Sequence, residues 1–219
     1  MILFIAVIVL APALGLLLGG SFRRLADLRL RWWWLVLLGL GLQFVPLPNG
    51  RAGSDLAARV GVLAASYGLL VVFGALNARL PGMPLVLIGL ILNAAVILPN
   101  GGMPVSESAI QRSGQLDMLP LLIEGGAAKH HLMTDEDVLT PLADVIPLPK
   151  PIGQIVSVGN LFVYAGIAWL IVAAMRRRIP STAQPSAGPY RGKHRPGTPP
   201  TPVLDPGLRE PATTSGSAP

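Results

Sequence analysis

Apolar blocks long enough to cross a lipid bilayer recur along this chain, each closed by Arg, Pro, Gly or Asn. At about 1.5 Å of rise per residue, roughly 20 helical residues traverse a hydrocarbon core of about 30 Å. The blocks fall at about 2–20, 32–46, 57–76, 83–98 and 155–175. They predict an all-α integral membrane protein, a bundle of about five transmembrane helices. Only 13% of the residues are charged against 52% hydrophobic, whereas soluble domains carry about 25% charge. That is too little to clothe a water-facing surface.

The basic residues argue for an orientation. Met1 to Leu18 has no charge ahead of its apolar run, so it reads as a retained first span, kinked at Pro12, and not as a cleavable signal. Arg23, Arg24, Arg29 and Arg31 stand against Asp27 alone in the connection that follows, and Trp32, Trp33 and Trp34 sit where the chain re-enters lipid. With five spans this connection, the turn at Arg79 and the triplet Arg176, Arg177 and Arg178 fall on one side. The other side receives Asn49 to Asp55 and the outer segment 100–153, with Glu107, Asp117, Glu124, Asp135, Glu136, Asp137 and Asp144. The expected topology places the N-terminus outside the cell membrane and the C-terminus in the cytoplasm.

The net charge of +6 is thereby topogenic, so the lipid bilayer and not nucleic acid is the expected partner. A polytopic domain over 1–178 is followed at 179–219 by a Pro-rich stretch that predicts a disordered cytoplasmic tail, with Arg191, Lys193, His194 and Arg195 read as solvated. Cysteine is absent, which excludes disulfides, thiolate metal sites and Cys nucleophiles.

The polar residues within the blocks are Gln43, Ser66, Tyr67, Asn93, Ser157, Asn160 and Tyr164. Their simplest role is interhelical hydrogen bonding. Gly15 with Gly19, Gly61 with Ala65 and Ala64 with Gly68 have the spacing that lets helix backbones approach, which suits a compact bundle or a homo-oligomer.

Chemistry concentrates in the outer segment. In "LPNGGMPVS", Asn100, Gly101 and Gly102 stop the fourth helix, and Ser106 can cap a short helix near Glu107. "LDMLPLLIEGG" (116–126) is apolar, too short to span and broken by Pro120, so it is expected to re-enter the bilayer or lie in its interface. Thr134 and Asp137 have capping-box spacing. Lys129, His130, His131, Asp135 and Asp144 are the densest ionisable set. Adjacent histidines point about 100° apart on a helix, so a wet loop cluster is expected there and not a metal site. Asp144 stands in an apolar run and needs a partner, for which Lys129, His130 or a backbone N–H are at hand. Pro147, Pro149 and Pro151 hold the return path extended.

These residues resemble the bacterial membrane proteins grouped as domain of unknown function 5317 (DUF5317). The likeness rests on Gln43, "NGGMPVS" at 100–106, "KHHLMT" at 129–134, "LADVIPLP" at 142–149 and "SVGN" at 157–160, and covers about 1–178. The family pattern has Gly-Asp where this chain has Ala143 and Asp144, and again where it has Gly159 and Asn160. The second departure puts an amide in place of a carboxylate. The resemblance implies architecture and brings no activity.

The expectation for function is a non-enzymatic membrane component that binds a small ligand or a partner, such as another membrane protein, through its outer segment. The alternatives are a transporter or permease subunit, and an enzyme acting on a lipid or envelope precursor. Candidate binding residues are Asn100, Gly101, Gly102, Met103, Pro104, Lys129, His130, Asp144, Pro147, Ser157, Gly159 and Asn160. No catalytic residue, metal ligand or cofactor is expected.

Overall fold

The computed structural model describes residues 2–45, 53–123 and 129–176. The turn at Asn49, Glu124, Arg177, Arg178 and the tail at 179–219 lie outside the described residues. The chain begins with α1 (Ile2–Leu17), α2 (Phe22–Ala26) and α3 (Trp34–Leu42), continues with α4 (Gly53–Leu76) and α5 (Met83–Asn100), and ends with α8 (Val158–Arg176). Between α5 and α8 lie β1 (Met103–Val105), α6 (Glu107–Ser113), α7 (Leu119–Ile123), β2 (His130–Leu132), β3 (Ile146–Leu148) and β4 (Gln154–Val156).

The described chain is mostly helical, and three helices are long and apolar enough to cross a membrane: α4, α5 and α8. Their 24, 18 and 19 residues correspond to about 36, 27 and 28 Å. The first two apolar blocks form shorter helices than expected, of 16 residues in α1 and 9 in α3. Pro12 sits inside α1 without ending it. α1 stops where Gly19 takes a left-handed conformation at φ 77°, which glycine adopts at little cost. α3 starts late because Trp32 is left-handed at φ 55°. It ends at Gln43, close before Pro46, whose ring disfavours a helical conformation at the preceding residue.

α3 packs on α4, α4 on α5, α5 on α8 and α8 on α1, giving an arc of five helices. The tightest crossing is α5 against α8. A Cβ on Gly82 would strike the Gly166 carbonyl, one on Gly166 the Gly82 carbonyl, and one on Gly89 the Gly159 carbonyl. Both helices therefore carry glycines seven residues apart that meet antiparallel, the close approach that small residues permit in membrane helices. The four-residue glycine spacing is used only in part: Gly15 packs on Met175, while Gly19, Gly61 and Gly68 have open space beside them.

α1 runs along the whole of α8. Leu3 N donates to Gln154 Oε1 at 3.1 Å, just before α8 starts, and Ser21 N donates to the Met175 carbonyl at 3.0 Å, where it ends. At the same end, the Asn77 side chain exchanges hydrogen bonds with the backbone of Arg31, joining the foot of α4 to the approach to α3. Leu35, Phe73, Met83, Val86 and Leu170 form the buried core there.

The segment between α5 and α8 adds four three-residue strands to the expected helices. β1 pairs parallel with β2, and β3 pairs antiparallel with β4. Strands this short carry no readable alternation. α6 begins at Glu107 as expected, but the Ser106 hydroxyl meets Ser108 Oγ and makes no capping bond. In α7, Leu122 is buried with Val105 and Ile110, while Leu121 and Ile123 are exposed.

Candidate functional site

The three motifs that flank the outer segment meet on β1. Met103 N donates to the Lys129 carbonyl (2.7 Å), Asp144 N to the Pro104 carbonyl (3.1 Å) and Ser106 N to the Asp144 carbonyl (3.1 Å). β1 thus lies between "KHHL" and "LADV". Asn100 fixes the approach: its Nδ2 donates to the carbonyls of Val96 and Val138, and its Oδ1 accepts from Val138 N, at 2.8, 2.9 and 2.9 Å. Gly101 closes α5 at φ 63°, and a Cβ at Gly102 would press on the Lys129 carbonyl at 2.8 Å. Pro147 lies opposite Ile155 in the β3–β4 pair that leads into α8.

Beneath this cover lies a cavity of about 890 Å³. Its walls are apolar along α3, α4, α5 and α8, from Leu40, Leu70, Val86, Leu90, Val163 and Ile167. Polar groups gather toward the outer segment: Lys129, His130, Asp144 and Gln154, with Asn93 from within α5 and Asn160 from the first turn of α8. Pockets of this size and lining suit small molecules that present an apolar body and a few polar atoms.

Asp144 is only 4% exposed. Its Oδ2 lies 3.5 Å from His130 Nε2, and its Oδ1 has no hydrogen-bond partner among the described residues. Burial pushes the Asp144 carboxyl up to about 7, with the Lys129 charge opposing. Burial likewise lowers Lys129 from the ordinary lysine range, and Asp144 opposes that shift. Lys129 Nζ donates to Gln43 Oε1, so its side chain reaches down to the end of α3. Gln43 Nε2 donates to Ser66 Oγ (3.1 Å), and Ser66 Oγ to the Gly39 carbonyl (2.7 Å).

The ionisable set does not form one wet cluster. His131 and Asp144 are buried, because pairing on β1 draws β2 and the Asp144 backbone inward. His131 Nε2 lies 2.9 Å from Asp137 Oδ1, and Asp135 is the exposed neighbour. Strand geometry explains the exchange: in β2 successive side chains face opposite ways, so His130 turns to Asp144 and His131 to Asp137. Asp137 also accepts from Thr134 N at 2.7 Å and from Thr134 Oγ1 at 3.1 Å. The capping-box spacing therefore closes a turn, and no α-helix starts there. Burial raises the Asp137 carboxyl, but its bonds from Thr134 and His131 outweigh that and hold it below the usual range.

A second polar group ties α5 to α8. Ser157 Oγ donates to Asn93 Oδ1 (2.9 Å) and accepts from Asn160 N (3.0 Å), and Asn93 Nδ2 donates to Asn160 Oδ1 (2.9 Å). The Ser157 bond to the third residue on is an N-cap for α8. Gly159 lies against Asn93 Oδ1, where a Cβ would collide. Sequence reasoning passed over Arg59, which is buried and donates from Nε to the Gly101 carbonyl. A lone arginine six residues into an apolar helix was the signal.

A family model described as a family of unknown function (DUF5317) matches residues 27–172. The chain belongs to that family. A protein of Thermotoga maritima (strain ATCC 43589 / DSM 3109 / JCM 10099 / NBRC 100826 / MSB8), described as an uncharacterized protein, is similar at 33% identity over 128 residues, which is 57% of this chain and 68% of that one. No solved structure matches.

Proposed function

We propose that this chain is a multi-pass membrane protein of about five spans that binds an apolar or amphipathic small molecule in the cavity beneath its outer segment, without transforming it. The observation that carries the reading is the cavity of about 890 Å³, apolar along the helices and polar at one end. Support for α1 as a span comes from its ties to both ends of α8. α3 and the residues after it make the remaining span. The Arg-rich connection, with Arg24 Nη1 on the Met175 carbonyl and Arg31 tied to Asn77, supports reading this end of the bundle as cytoplasmic. The outer segment closes the other.

A second reading, transport of the same ligand, draws on Asn93 and Asn160 in the cavity wall. Lipid chemistry is the weaker reading, because His131 faces Asp137, leaving His130 and Asp144 as the acid-base pair at the cavity. The test is native mass spectrometry of the chain released from membranes. Wild type is expected to carry one bound amphiphile, and Leu90→Trp, which fills the cavity, to keep less than about a tenth of it. Undiminished occupancy in Leu90→Trp, with the helical signal intact, would remove the cavity as the binding site.

A further inference from the structure

The cavity is lined by residues from both ends of the helix arc. Phe4 on α1 and Val36 and Leu40 on α3 line it from the two ends of the arc, and those two helices lack the extended packing that joins every other adjacent pair in the arc. In the spanning arrangement proposed above, this is the side from which a molecule dissolved in lipid reaches the apolar wall. At the outer end sits a carboxylate oxygen, Asp144 Oδ1, buried and without a hydrogen-bond partner among the described residues. Buried polar atoms are seldom left so, and a donor offered to one in an apolar site is held more strongly than in water.

We propose that Asp144 Oδ1 accepts a hydrogen bond from the hydroxyl headgroup of a single-chain amphiphile whose tail occupies the apolar cavity. This inference rests on the binding reading above and adds the ligand class. The neighbours of Asp144 select among headgroups. A phosphate or carboxylate head would set negative charge against Asp144, and an ammonium head would set positive charge against Lys129, in surroundings where screening by water is weak. A hydroxyl meets both demands. It donates to Asp144 Oδ1 while its lone pairs face Lys129, a donor in either protonation state. The confinement of polar atoms to one end of the cavity then fixes the direction of the tail.

The experiment uses the full chain in lipid nanodiscs and two probes: a long-chain alcohol with a diazirine in mid-chain, and its O-methyl ether, which keeps the shape and lacks the donor. Photolabelling is mapped to peptides of α5 and α8. The alcohol is expected to half-saturate at a concentration at least about tenfold below the ether. Asp144→Leu is expected to bring the alcohol to the level of the ether, and Leu90→Trp to abolish labelling by both. Equal affinity of the two probes for wild type overturns the hydrogen bond and leaves the cavity reading standing. A preference that persists in Asp144→Leu overturns the assignment to Asp144. No labelling by either probe overturns the binding reading and this inference with it. If Asp144→Leu does not insert, the wild-type ratio of alcohol to ether decides.

Discussion

Two polar clusters lie at the outer end of the same cavity, and they are built to opposite rules. In Asn93, Ser157 and Asn160 the side chains bond to one another and to Asn160 N, and the bonds cross from α5 to α8. Around Asp144 the contact with His130 Nε2 is long, the Lys129 ammonium turns to Gln43, and one buried carboxylate oxygen has no hydrogen-bond partner among the described residues. A closed network rigidifies and specifies one packing. An open one retains a strong preference for a donor from elsewhere. The first cluster reads as a lock on the helix pair and the second as a place of recognition.

The harshest way to break the lock is Gly159→Leu, whose side chain would enter the space of Asn93 Oδ1 and the Gly89 carbonyl. A loss of at least about 3 kcal/mol is expected, enough to prevent recovery of folded protein by size exclusion after detergent extraction. Gly61→Leu, where nothing lies within 4 Å, is expected to be recovered like wild type. Equal recovery of the two variants would dissolve the distinction between seam and surface.

Asn93→Ala tests the hydrogen bonds without a clash. It strands Ser157 and Asn160, so about 1–3 kcal/mol is expected, against roughly 0.6 kcal/mol for an average interhelical bond in a membrane. Thermal melting in detergent measures it. A change no larger than that of Gln43→Ala would mean the network has no special weight.

The smallest expected effect separates the second cluster. The folded Asp144 carboxyl, raised to about 7, keeps its proton where an unfolded one, near 3.9, has lost it. Its contribution to stability is therefore most favourable below about pH 4, declines as pH rises to about 7 and is level above. The wild-type melting temperature is expected to fall by a few degrees between about pH 5 and 8, and Asp144→Asn to flatten that slope. Other groups contribute equally to both proteins, so the difference between the two slopes is the quantity to read. Parallel slopes would place Asp144 in contact with water.

The long helices were legible because length and apolarity alone identify them: the expected blocks at 57–76, 83–98 and 155–175 meet helices at Gly53–Leu76, Met83–Asn100 and Val158–Arg176. The glycine seam was less so. A search at four-residue spacing finds Gly15 and Gly19, whereas the close crossing uses Gly82 and Gly89 against Gly159 and Gly166. The meeting of Asn100 to Pro104 with Lys129, His130 and Asp144 could be suspected from Asp144's need for a partner, but not its strand form, since three residues show no period. The choice of Asp137 over Asp135 for His131 depends on the turn closed by Thr134, a tertiary matter that spacing alone leaves open.

α8 has a further consequence for biogenesis. It packs on both α5 and α1, so in the spanning arrangement proposed above α1 gains its main neighbour among the described helices only when α8, synthesised later, arrives. α1 must wait in the bilayer, with Gly15 facing lipid, while more than a hundred residues are synthesised. Insertion of α8 then joins α1 to α5 in one late step, and the wall of the cavity is completed by the helix made last among those described.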